Sequence, residues 1–418
     1  MSDFSSPTEY AFSRGGPGFD SAVLWPDDSA GHAASRSICI VARPRQDLPL
    51  YCNPIALFLA VWILMLGCLS VHVSYVIYPG FFTPILIFGV STASLILGYL
   101  ASTAILEPVD AKDRPTAGIL NITSLWRLNL LFCALALLLI AFNWITSGPP
   151  PAIGDPSTYL TYGKLKQLLF PLLTAIAVNA TFDTSRLRRF LLITFVFSVL
   201  AVYVARGIML IAFLQMFFLF SLKTNMSRKK QYLLAVGALL FAVAGVTIVG
   251  NLRTAHDIFI EFLEIRDKYS DWPMAWLWFV SYISIPFSNL CWMVAHAPRQ
   301  GPTLAFLYPI LPTFMAPADP YASVFGSSNL IDNASTYLQT YALDFSYLGI
   351  YFANLLLGLG CGWLVTRSYP KYILILAILL TSISLMFFTD MFFLLSTVVE
   401  IVIQSFVMKR CFRWSEAV

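Results

Sequence analysis

Residues 190–222 read FLLITFVFSVLAVYVARGIMLIAFLQMFFLFSL. This is an apolar run of 33 residues broken by one cation, Arg206. A helix crosses a hydrocarbon core in about 20 residues. The run is therefore too long for one crossing and just long enough for two short ones joined by a tight turn. Such a turn puts Arg206 near one membrane face, where a guanidinium invites an anionic partner such as a lipid phosphate.

Working outward, the whole chain has the same character. It is 58% hydrophobic and 11% charged, with a mean hydropathy of +0.75. These values predict an all-α integral membrane protein with many spans. Residues 1–50 are rich in Ser, Gly, Pro, Asp and Arg without sustained periodicity, and are expected to form a disordered tail. No basic region followed by a short apolar stretch marks a cleavable signal peptide, so the first span, near 54–74, is expected to act as an uncleaved anchor. Further spans are expected near 82–105, 125–145, 165–181, 190–205, 207–222 and 232–251, giving seven within residues 51–251.

Lys and Arg concentrate on the cytoplasmic side of membrane proteins. Arg43 and Arg45, then Lys112 and Arg114, then Arg186, Arg188 and Arg189, then Lys223, Arg228, Lys229 and Lys230 fall in alternate connections. The loop SGPPPAIGDPSTYLTYG (147–163) has neither Lys nor Arg. Three late spans, 347–366, 372–389 and 391–408, within 347–408, are followed by a short basic tail, 409–418. Arg367 and Lys371, and then Lys409, Arg410 and Arg413, should also lie inside. This requires residues 252–346 to begin and end outside. Within them, WPMAWLWFVSYISIPFSNLCWMVA (272–295) has Pro286 in its middle and many aromatics. It is expected to be interfacial or re-entrant, giving about ten spans. A full crossing there would invert the last three helices against the charge rule.

The polar residues of the outer face gather in that late loop. Asp257, Glu261, Glu264 and Lys268 follow a helical spacing opposite Ile258, Phe259, Phe262, Leu263 and Ile265, which predicts an amphipathic surface helix. A plain solvated face with a Glu264–Lys268 pair accounts for the same pattern. Near the loop's end, Asn333, Tyr337, Tyr341 and Asp344 fall on one face of a helix leading into a span. Amides, hydroxyls and flat rings suit a sugar site. Asp344 faces a desolvation cost unless it is paired or functional; the other reading makes it a helix cap. The seven cysteines show no CxxC, and the four histidines form neither HxxxH nor HExxH. No metal site, cofactor or nucleic-acid partner is expected, and no phosphate-binding glycine loop is present.

Three stretches resemble the O-antigen polymerase (Wzy) family of oligosaccharide repeat unit polymerases. VYVARGIMLIAFL (202–214) is similar to its Ser-Arg-Gly-type junction between spans. GNLRTAH (250–256) is similar to its Gly-x-x-Arg entry to the large external loop. STYLQTYALDFSYLGIYFANLLLGLG (335–360) is similar to its Thr-x-x-x-x-Tyr-x-x-Asp-Phe-Gly-x-x-Gly stretch, although this chain has Ala205 before the arginine and Ser346 where Gly is usual. The layout agrees from about residue 54 to 408. The resemblance implies a fold like the glycosyltransferase C enzymes, in the bacterial inner membrane with its active site at the periplasmic face. It implies transfer of a growing glycan between undecaprenyl-diphosphate-linked units, with a chain-length regulator (a polysaccharide co-polymerase) and membrane lipids as further partners. Arg206 and Arg253 would hold the diphosphate, since the guanidinium fork grips phosphate oxygens bidentately. Asp344 or His256 would act as general base, and Asn333, Tyr337 and Tyr341 would bind the sugar. An O-antigen ligase and a lipid-linked oligosaccharide flippase are the alternatives.

Overall fold

A computed structural model describes residues 37–41, 49–77, 80–105, 117–154, 162, 165–224, 227, 229–237, 240, 261, 263–297, 301–311, 315, 317–318, 320–321, 336–368, 371–387, 392 and 394–414. Ten α-helices are described from end to end, besides helical residues at 229–237: α1 Pro54–Val71, α2 Phe82–Ile105, α3 Ile122–Ser147, α4 Lys166–Ala180, α5 Arg186–Val202, α6 Arg206–Lys223, α7 Met274–His296, α8 Gln339–Trp363, α9 Ile373–Ser384 and α10 Leu395–Cys411. Six of the described helices (α1, α2, α3, α6, α7 and α8) are long and apolar enough to cross a membrane, and α4 and α9 are shorter apolar helices. The chain is a predominantly helical, multi-pass membrane protein. The seventh expected span, near 232–251, lies largely outside the described residues.

Local chemistry sets the helix boundaries. Asn53 caps α1 by accepting from the amides of Ile55 (3.0 Å) and Ala56 (3.4 Å), with Pro54 in the first turn, where a missing N–H costs nothing. Asn121 caps α3 through the Ser124 amide at 2.9 Å. The apolar run quoted above breaks where expected: α5 ends at Val202, and α6 begins at Arg206 after a three-residue turn in which Val204 has φ 53°.

Two apolar clusters form the interior. In one, α4 packs against α3, α5, α6 and α10, and every α4 residue from Pro171 to Ala180 is buried. In the other, α1 packs against α7 and α9 around Trp62, which meets the Phe287 ring edge-on at 5.3 Å. Among the described helices, α2 and α8 approach closely. A Cβ at Gly98 would overlap the Leu355 carbonyl, one at Gly358 would overlap the Leu95 carbonyl, and one at Gly362 would lie 2.7 Å from the Ser102 side chain. Gly358 meets Leu95 and Tyr99, and Gly362, one turn further on, meets Tyr99 and Ser102, so the pair is parallel. Glycine and serine allow such an approach where lipid supplies no hydrophobic drive.

Three features differ from the sequence-based expectation. First, Ser37–Val41, within the expected disordered tail, is a strand. It pairs antiparallel with Ala117–Asn121, which pairs antiparallel with Phe412–Trp414. The β-branched residues of SICIV favour this conformation, and Phe412 anchors the third strand edge-on against Phe182 at 5.4 Å. Second, the surface helix expected through Lys268 does not extend over residues 263–269. Glu264 has φ 46°, and Ile265 forms a bridge with Ser74. The Arg266 amide donates to the Val73 carbonyl (3.0 Å) and the Tyr75 amide to the Glu264 carbonyl (3.1 Å), so bonds to the segment after α1 replace the helical ones. Residues 257–260 and 262 lie outside the described residues. Third, α7 is one continuous helix of 23 residues through Pro286, with thirteen of them buried. At 1.5 Å per residue it is about 34 Å long.

Candidate functional site

The segment singled out around Asp344 is a helical hairpin. Ser346 has φ 54° and ψ −139°, outside helical space, and divides α8 into a short leg, 339–345, and a long leg, 347–363. In a straight helix residues 341 and 349 would be about 12 Å apart. Here a Cβ at Gly349 would overlap the Tyr341 carbonyl. Farther out, the Tyr337 hydroxyl donates to Asn354 Oδ1 across the same fold. The short leg thus lies back against the long one. Gly349 permits the approach because it has no side chain.

Asp344 stands at the end of the short leg and is buried. Its Oδ1 accepts from the Thr303 amide (3.0 Å), the Thr303 hydroxyl (2.5 Å) and the Tyr321 hydroxyl. Its Oδ2 is buried without a hydrogen-bond partner among the described residues. These donors come from the loop before the short 3₁₀ helix Ala305–Ile310 and from Tyr321, not from helix amides. The capping alternative for Asp344 therefore finds no support in its bonds. Three donors on one oxygen hold the carboxylate in a fixed orientation.

The expected sugar-binding stripe does not form as one helical face. The helix begins at Gln339, so Tyr337 precedes it. Tyr337 is buried against Asn354 and the Phe392 ring (5.6 Å), and its amide donates to the Met386 carbonyl at 3.0 Å. Tyr341 is buried and stacks on Phe306 at 4.8 Å. Both rings are thus engaged within the protein. Tyr341 and Asp344 share one covering segment, 303–306, whereas Tyr337 turns to other neighbours. Asn333, Arg253 and His256 lie outside the described residues.

Arg206 opens α6 and is half-buried. The turn before it is held firmly. The Ala205 amide donates to the Leu200 carbonyl at 2.9 Å, and the Ala152 amide to the Val202 carbonyl at 3.1 Å. Tyr203 packs edge-on against Tyr162 (5.4 Å) and Phe170 (6.1 Å), and Asn143 donates to its hydroxyl at 3.4 Å. Burial, with Tyr203 beside it, pushes the Tyr162 phenol up, so it stays neutral and donates to the Gly148 carbonyl at 2.8 Å.

No family model, curated protein or solved structure matches the chain.

Sequence reasoning missed two groups of polar residues. Thr303 and Tyr321 lie in loops without periodicity, where nothing marks a hydroxyl as a partner for a carboxylate 41 or 23 residues away. Glu400 was visible: it is the one acid in LSTVVEIVIQSFVM (395–408). It is buried in α10, and Gln215 Nε2 of α6 donates to its Oε2 at 3.0 Å.

Proposed function

We propose that this chain is a metal-independent membrane glycosyltransferase that polymerises undecaprenyl-diphosphate-linked oligosaccharide repeat units at the periplasmic face of a bacterial inner membrane. The observation that carries this reading is the hairpin at Ser346. It falls in the stretch with the fullest resemblance to the polymerases. It turns at the position where they usually have glycine, and it ends in a buried carboxylate with one oxygen unpartnered.

The chemistry needs three things. An acceptor hydroxyl attacks the anomeric carbon of the donor as the bond from that carbon to the lipid diphosphate breaks. The diphosphate leaves with the electron pair, and Arg206 and Arg253 offset its growing charge. Asp344 Oδ2 takes the hydroxyl proton. No nucleotide enters the reaction, because the leaving group is already esterified to lipid.

The three-stranded sheet supports the topology that this reading requires. Its strands come from before α1, between α2 and α3, and after α10. Segments joined in one sheet lie on one side of a membrane, so an even number of crossings separates them. Between the second and third strands, α3–α6, the expected seventh span and α8–α10 make eight. A crossing by α7 would make nine. The even count favours ten spans, with α7 embedded in the bundle without passing through.

A deletion strain tests the activity. Glycans stopping at one repeat unit support the polymerase. Uncapped lipid A core with accumulated polymer indicates a ligase, and absence of external repeat units indicates a flippase. Arg206→Lys should impair chain growth nearly as much as Arg206→Ala, because lysine keeps the charge but loses the fork. Wild-type polymer from the lysine variant would remove the bidentate role. The flippase reading draws on one observation of its own: buried Gln215, Glu400 and Gln404 lie within α6 and α10, and transporters bind substrates and ions at such depths.

A further inference from the structure

The cavity beside Glu400 has the makings of an ion site, whichever reading of the glycan chemistry holds. It lies among α4, α6, α9 and α10, with Thr174, Gln215, Thr381, Thr397 and Glu400 in its lining. Its volume is about 20 Å³, room for one water-sized occupant and no more. Among the described residues that line it, Glu400 alone is titratable.

The hydrogen-bond balance of this cavity is one-sided. Glu400 is 4% exposed and Gln215 1%. The Gln215 amide nitrogen donates to Glu400 Oε2. Glu400 Oε1 and Gln215 Oε1 are both buried without a partner among the described residues. The Thr174 hydroxyl, which donates to the Pro171 carbonyl, is the other side chain that interacts with Glu400, and buried acceptors short of donors are costly unless something positive or proton-donating meets them. The remaining polar lining consists of hydroxyls, whose oxygens also serve as neutral ligands. An ionisable group at this depth in a membrane protein marks an ion or proton site more often than a structural one.

We propose that this cavity binds one small monovalent cation between Glu400 Oε1 and Gln215 Oε1, either a sodium ion caged by the hydroxyl oxygens or a proton carried on the carboxylate. One positive charge neutralises Glu400 and satisfies both orphaned oxygens. The four helices that line the cavity would then be held together by the occupant.

The test uses the purified full-length protein in detergent and a hydrophobic carbodiimide, dicyclohexylcarbodiimide, which modifies membrane-buried carboxyls in their protonated form. Peptide mass spectrometry reads modification at Glu400. A sodium site predicts that NaCl, but not choline chloride at equal ionic strength, protects Glu400 and raises the melting temperature. A proton site predicts no sodium effect and a fall in labelling of about tenfold per pH unit on the alkaline side of the carboxyl's titration. Glu400→Gln should abolish the labelling together with the sodium or pH dependence of melting. Should that variant fail to fold, Gln215→Leu serves. It removes one ligand oxygen together with the amide donor to Glu400 Oε2, and should shift the half-protecting sodium concentration or the half-labelling proton concentration about tenfold, the worth of one hydrogen bond to a charged group. Glu400 that stays unlabelled, or labels equally at every pH and sodium concentration, overturns the proposal, as does a Gln215→Leu protein with unshifted protection.

Discussion

Glycine and alanine at position 346 should rank opposite to their order in an ordinary helix. Inside a regular helix alanine is more stable than glycine by about 0.5–1 kcal/mol. Ser346, however, has φ 54° and ψ −139°, a region that residues with a Cβ occupy only at a cost of about 1–3 kcal/mol. Ser346→Gly removes that strain and gives back about 0.5–1 kcal/mol through the freer unfolded chain. Ser346→Ala keeps the strain. Both variants lose the serine hydroxyl, so its contribution cancels between them. The glycine variant should therefore exceed the alanine variant by about 0.5–2 kcal/mol. A β-branched Ser346→Val should be worse than either. The assay is unfolding in detergent followed by tryptophan fluorescence, with the variants compared side by side. Alanine equal to or above glycine would mean that the chain does not reverse at Ser346, and the hairpin reading would fall with it.

The helix seam and the carboxylate make two further predictions. Gly358→Leu should cost at least about 1–3 kcal/mol, because its side chain would have to displace the α2 backbone. Gly89→Leu, on the same pair of helices but with open space around its Cβ, should be neutral or stabilising in the same melt. Asp344→Asn should insert and fold normally, since an amide oxygen can still accept from Thr303 and Tyr321, yet it should lose polymerisation, since asparagine is no base. A fully active Asn variant would remove Asp344 from the mechanism and leave His256 or base-free transfer.

Much of the bundle was legible because an apolar helix in lipid needs little more than length and hydropathy to be recognised. The break at Arg206 is an example: a run of 33 residues in a membrane about 20 residues thick has to turn. The hairpin was not legible in the same way. STYLQTYALDFSYLGIYF reads as one helix because nothing in its periodicity reports a reversal. The one hint was a serine where the resemblance leads one to expect glycine, and it bears on backbone angle rather than polarity. The sheet was missed for a related reason. SICIV and AGILN are each five residues long, and each becomes a strand only by finding partners far away in sequence. Glu400 was missed although it was plain, because a span was judged by its average rather than by its exception.

The sheet has a consequence for how the protein is made. Ala117–Asn121 is the central strand, with Ser37–Val41 on one side and Phe412–Trp414 on the other. The first pairing is available as soon as α1 and α2 have left the ribosome. The second must wait until every helix from α3 to α10 has been inserted. Throughout that interval the strand before α3 presents an unpaired edge, the kind of surface that recruits wrong partners. Pairing with Phe412–Trp414 then acts as a late latch, closing only on a chain whose whole run of helices has arrived in register. A probe of that edge during synthesis would time the completion of assembly.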